Sequence, residues 1–142
     1  MQRVKLSKNF YLDEYIPEDL YRQLENRPHV LIGLIDRRLI TADQRLRNVF
    51  GPVTINNWAT GGDRNWSGIR TPDSPFYSPT SQHSWGRASD KVFSHATPEE
   101  VRSYIKIHWK KLGIKCIEEN VSWVHSDVRY VMKQKELLLV YP

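Results

Sequence analysis

Two histidines and an aspartate supply residue types that could together hold a metal. His83 and Asp90 fall in Ser81-Gln82-His83-Ser84-Trp85-Gly86-Arg87-Ala88-Ser89-Asp90, a run that carries a small-residue elbow between them. His125 closes a second run, Glu119-Asn120-Val121-Ser122-Trp123-Val124-His125. Zinc accepts imidazole nitrogen and carboxylate oxygen, and a catalytic zinc site uses three protein ligands and leaves a fourth position for water. His83, Asp90 and His125 offer such a set for Zn2+, and Glu119 is a candidate base beside it.

These residues need strands to aim them and a loop to wall them in. Ala88 to Phe93 reads as a strand. Ile114 to Glu118 and Ser122 to Val128 read as two more, arranged as a hairpin around Glu119-Asn120-Val121. Alternate side chains of a strand share a face. Trp123, His125 and Asp127 therefore point one way, and Val124 and Val128 the other. Trp123 would then form a cleft wall, and Asp127 would orient a ligand imidazole, as carboxylates commonly do. Leu137 to Tyr141 reads as a terminal apolar strand, and Val53 to Trp58 as a β-branched one. Between Ala59 and Thr80 the chain is rich in Gly, Pro, Ser and Asp, a loop long enough to be functional in a small domain.

Helix signals surround these strands. Pro17 to Leu24 has Pro first and acids in its opening turn. His29 to Phe50 shows apolar residues at helical spacing, with Thr41-Ala42-Asp43 able to cap a restart and Gly51-Pro52 ending it. Thr97 caps a further helix that starts at Pro98 and closes at Gly113. His29, His95 and His108 read as packed or surface residues rather than ligands. At the N-terminus, Phe10, Leu12 and Tyr15 are expected to tuck the first segment onto the core.

Ser81, His83, Gly86, Ala88 and Asp90 match the SxHxxGxAxD motif of the D-Ala-D-Ala metallopeptidases, and Trp123-Val124-His125 resembles that family's closing WxH. Leu6-Ser7-Lys8-Asn9-Phe10 resembles the opening common in its phage members. Ser67-Gly68-Ile69-Arg70 resembles its SGYR element, set off here by an insertion, Ala59 to Trp66. The resemblance implies an α+β fold: an antiparallel sheet of about four to six strands, helices packed on one side, and zinc in a cleft on the open face. It implies Arg70, Ser81 and Trp123 on the substrate side; a guanidinium suits a peptide carboxylate because its planar donors pair with both oxygens. It also implies peptide-bond hydrolysis, with zinc lowering the pKa of water to about 7 and a carboxylate moving the water proton to the leaving amine. Many relatives place that acid three residues before the last histidine. Ser122 stands there, so Glu119, six before His125, is the candidate; Glu118 is its neighbour on the opposite face. The Glu119 spacing is also similar to that of the hedgehog signalling domain, which shares the zinc fold and binds partners.

Composition bounds the rest. At 142 residues the chain is expected to form one domain, 1–142, with one core. It has no apolar run of about 18 residues that would span a membrane, and Met1-Gln2-Arg3-Val4-Lys5 lacks the apolar core of a signal peptide. Cys116 is the only cysteine, which excludes an intrachain disulfide and a thiolate zinc site; it reads as a buried, inert thiol. The net charge of +5 is scattered along the chain, so nucleic acid is not an expected partner. The family resemblance, not composition, implies peptidoglycan peptide as the substrate and a phage as the origin, with action from the host cytoplasm on the cell wall or from the virion. The other reading is a non-catalytic phage structural module that keeps the zinc fold and contacts other virion proteins.

Overall fold

Capping residues set the helices of this chain, whose computed structural model describes residues 1–142. Helix α1 spans Glu18–Leu24 behind Pro17, with Glu18 and Asp19 at its positive end. The long stretch from His29 to Phe50 forms two helices, α2 over Pro28–Ile32 and α3 over Arg37–Phe50. The break falls before Thr41, because Asp36 caps α3: its carboxylate accepts the Arg38 N–H, while its own N–H donates to the Gly86 carbonyl at 2.9 Å. Helix α4 spans Pro98–Leu112; Thr97 Oγ1 accepts the Glu100 N–H, and Gly113 closes it at φ 81°.

Five strands follow the β-branched and alternating stretches: β1 Val53–Thr54, β2 Ala88–Phe93, β3 Cys116–Glu118, β4 Val124–Asp127 and β5 Leu138–Val140. They form one sheet in the order β1-β2-β4-β3-β5. The fold is α+β as expected, but the sheet is mixed, not purely antiparallel. β1–β2, β2–β4 and β3–β4 pair antiparallel, whereas β5 pairs parallel with β3. The reason is topological. β4 is flanked by β2 and β3, so a strand returning from β4 can join only an outer edge, and beside β3 the return direction is parallel. The strand expected over Val53 to Trp58 stops at Thr54; Trp58 opens a 3-10 turn and its indole N–H donates to the Ile16 carbonyl at 2.9 Å.

Helices α3 and α4 contact β2 and β4 on the face that carries Lys91, Phe93 and Val124. One apolar core of 21 buried residues joins helices, strands and the N-terminal segment. Phe10, Leu12 and Tyr15 are buried as expected. No helix is long and apolar enough to cross a membrane.

The N-terminal segment is pinned by a bridge between Lys5 and Tyr11 and by a 3-10 turn at Leu12–Glu14. Glu14 Oε2 accepts the Tyr11 N–H at 2.8 Å, and the Glu14 carbonyl accepts the Asn56 N–H at 3.1 Å. Burial pushes the Glu14 carboxyl from 4.5 up to about 7, against the opposing pull of the Tyr11 N–H. An acid whose folded pKa is raised keeps its proton in the folded chain after the unfolded chain has lost it. Its contribution to stability therefore declines as pH rises from 4.5 to about 7. Urea unfolding across that window is expected to show wild type losing stability relative to Glu14→Gln; parallel profiles would refute the assignment.

Candidate metal centre

Register and pleat bring the ligands together. In the β2–β4 pair, Asp90 stands opposite His125, and both side chains leave the sheet on the face away from α3. His83 arrives from the 3-10 turn Gln82–Trp85, which Ser81 caps by accepting the His83 N–H at 3.2 Å. Gly86 ends that turn at φ 68°, and a Cβ there would lie 1.9 Å from the Leu34 carbonyl oxygen. Only glycine meets both demands, so the elbow in the motif is the point where the ligand turn seats against the loop before α3.

His83, Asp90 and His125 are all buried, and their ligand atoms lie within 4.8 Å of one another. His83 Nε2 is 3.3 Å and His125 Nδ1 is 3.0 Å from Asp90 Oδ1. Zinc bonds of about 2.0–2.1 Å in a tetrahedron separate adjacent ligand atoms by about 3.3 Å. The donor types, and the two separations from Asp90 Oδ1, fit an ion such as zinc.

The outer nitrogens fix the inner ones. His83 Nδ1 lies 2.8 Å from the Gly68 carbonyl, which can only accept, so Nδ1 carries hydrogen and Nε2 offers its lone pair. His125 Nε2 lies 2.9 Å from Asp127 Oδ2, which keeps a hydrogen on Nε2, so that Nδ1 is the nitrogen that offers its lone pair once its proton is lost. Asp127 is buried and held by a two-bond fork, Arg129 Nε to Oδ1 at 2.8 Å and Nη2 to Oδ2 at 2.7 Å. Gly68 is placed by contact: a Cβ there would lie 2.4 Å from the Tyr15 carbonyl oxygen.

Without metal, the cluster is an ion network. Burial raises the Asp90 carboxyl, but hydrogen bonds from His125 and His83 outweigh it and hold Asp90 well below the usual range. Burial lowers the His125 imidazole, but its bonds to Asp127 and Asp90 outweigh that and bring it up to about 9. Cys116, beneath Asp127 on the same face, is pushed up to about 12 by burial and by that carboxylate, as suits an inert thiol.

The cleft over the ligands measures about 620 Å³. Asp127 sits where the strand alternation puts it, and Trp123 lines the cleft. Arg70 also lines it, yet its guanidinium is engaged: Nε donates to the Trp66 carbonyl and Nη2 to Asp90 Oδ2 at 3.0 Å. It braces the second oxygen of a ligand rather than standing free as a clamp. Ser81 lines the cleft but spends its hydroxyl on the cap.

Glu119 is a correction. It leaves the sheet toward α4, where its carboxylate meets Lys106 at 2.6 Å and Arg102 at 4.0 Å. Strand alternation in β3 gives the cleft face to Cys116 and Glu118 instead. Glu118 Oε1 lies 3.7 Å from His125 Nδ1, and its side chain lines the cleft. Arg129 went unread in the sequence, although it continues the same-face series of 125 and 127. The Gly68 carbonyl has no side-chain signal to find. Comparison with family models, with curated proteins and with solved structures gave no match to this chain.

Two measurements check the centre. His83→Ala and His125→Ala are expected to abolish tight zinc binding while the domain stays folded on its own core, and Asp127→Asn to weaken binding by about 10–100-fold; metal analysis and competition titration report both, and zinc retained at wild-type affinity would reject the ligand set. Because His125 carries a proton up to about pH 9 in the metal-free chain, zinc must displace it. Apparent affinity should therefore climb as pH rises toward that value, with proton release seen by calorimetry in buffers of different ionisation enthalpy; a pH-independent affinity would contradict it.

Proposed function

We propose that this chain is a zinc-dependent peptidase that hydrolyses peptide bonds of bacterial peptidoglycan, as a phage lysin or a D-Ala-D-Ala carboxypeptidase-like enzyme. The observation that carries the reading is the ligand cluster itself: three buried donor atoms within 4.8 Å of one another, with an outer acceptor on the far nitrogen of each imidazole. The substrate class rests on the resemblance of the Ser81–Asp90 and Trp123–His125 motifs to D-Ala-D-Ala metallopeptidases, and the phage origin on the resemblance of Leu6–Phe10 to the opening of that family's phage members.

His83 Nε2, Asp90 and His125 Nδ1 would hold the zinc ion, which when bound would supply Lewis acidity toward a carbonyl and toward water, whose pKa such an ion brings to about 7. The chain's own residues do the rest. Gly68 and Asp127 keep the two imidazoles turned inward, and Arg129 keeps Asp127 in place. Arg70 holds Asp90 by its outer oxygen, which leaves Oδ1 to face the histidines. Glu118, at the cleft, takes the proton of the attacking water on its carboxylate and delivers it to the leaving amine. Trp123, exposed at the mouth, offers an apolar wall for the peptide.

A second reading is a phage structural module that binds zinc without turnover. Two observations favour it: Arg70 is turned onto Asp90, and Ser122 occupies the place where relatives carry their acid.

Zymography on purified peptidoglycan separates the two. Wild type and Glu119→Gln are expected to clear the substrate. Glu118→Gln, still holding zinc, should lose about 10²–10⁴-fold in rate, the usual share of a general base. No clearing by zinc-loaded wild type would favour the module. Loss of clearing in Glu119→Gln but not in Glu118→Gln would reverse the assignment of the base.

A further inference from the structure

On the reverse of the sheet, directly behind the ligands, lies a charged cluster that the hydrolytic reading does not use. Lys91 and Asp43 are both fully buried, with Nζ 3.1 Å from Asp43 Oδ1. The three ammonium donors go elsewhere: to the Ser89 carbonyl at 3.2 Å, Ser89 Oγ at 2.7 Å and Ser126 Oγ at 2.6 Å. Asp43 Oδ2 in turn accepts from Ser89 Oγ at 2.8 Å and from the Tyr15 hydroxyl at 2.9 Å. The cluster thus ties α3, β2, β4 and the N-terminal segment to one point.

Its attachments are the neighbours of the ligands. Ser89 and Ser126 are a cross-strand pair, adjacent in each strand to Asp90 and His125. Lys91 bridges their hydroxyls across the β2–β4 pair, on the face opposite the two ligands. Tyr15 reaches the third ligand. Its carbonyl accepts the Ile69 N–H at 2.8 Å and abuts Gly68, whose own carbonyl orients His83. Burying two charges is not an economical way to hold a sheet together; well-packed apolar residues of similar volume are often as stable or more so.

We propose that the Lys91–Asp43–Tyr15 cluster is a positioning device for the metal ligands. It fixes the separation of Asp90 and His125 through the paired serines and the aim of His83 through the loop at Gly68. The proposal rests on the reading of His83, Asp90 and His125 as a metal site.

The test uses two variants: Lys91→Met/Asp43→Asn, which removes both charges together, and Tyr15→Phe, which removes one hydroxyl. Each is measured for metal-free thermal stability, for zinc affinity by chelator competition, and for the visible absorption of the cobalt(II) form. The expected result is metal-free stability at or near that of wild type, zinc affinity weakened by about 10-fold or more, as for other outer supports of metal ligands, and an altered cobalt spectrum. Wild-type affinity and spectrum in both variants would overturn the positioning role and leave the metal site intact. If the double variant fails to fold, Tyr15→Phe decides by the same two readouts. Absence of zinc and cobalt binding by wild type would overturn the metal reading, and this one with it.

Discussion

The antiparallel register of β2 and β4 is the constraint from which the rest of this molecule follows. It sets Asp90 opposite His125 and, because a strand alternates its faces, it also sets Ser89 opposite Ser126 on the other side. A slip of one residue would exchange the two faces, sending the ligands into the core and the serines into the cleft. Side chains on each face resist that exchange. Lys91 is neutralised only where Asp43 can meet it, and Asp90 is satisfied only where two imidazoles and Arg70 converge.

The cleft shows how a carboxylate can be buried without being neutralised by protonation. Asp90 receives His83 and His125 on one oxygen and Arg70 on the other. Asp127 receives His125 and the Arg129 fork. Each buried acid thus meets at least two donors that are charged or able to charge, which offsets the desolvation that would otherwise favour the neutral form. The same arrangement leaves one nitrogen of each imidazole turned inward, so stability and ligand geometry come from one set of bonds.

Much of this was legible in the sequence where a local rule decides. Thr97, Pro98 and Gly113 bound α4 because capping depends on neighbours alone. The β2 span and the shared face of Trp123, His125 and Asp127 follow from alternation. The candidate metal ligands stood out because two histidines and an aspartate fall within recognisable motifs. What failed to show was set by tertiary context. Asp36 caps α3 because Gly86, fifty residues on, holds its backbone. β5 lies parallel because the strand it follows has no free edge. Glu118 and Glu119 differ only in which face the end of β3 presents, and the Lys106–Glu119 pair that takes one of them comes from a distant helix.

The lone thiol carries a consequence of its own. Cys116 sits against Asp127 in the dark interior beneath the ligands, held as a thiol far above neutral pH. Since only a thiolate is readily oxidised, and none of the ligand atoms is sulfur, the centre gives peroxide or disulfide reagents nothing to attack.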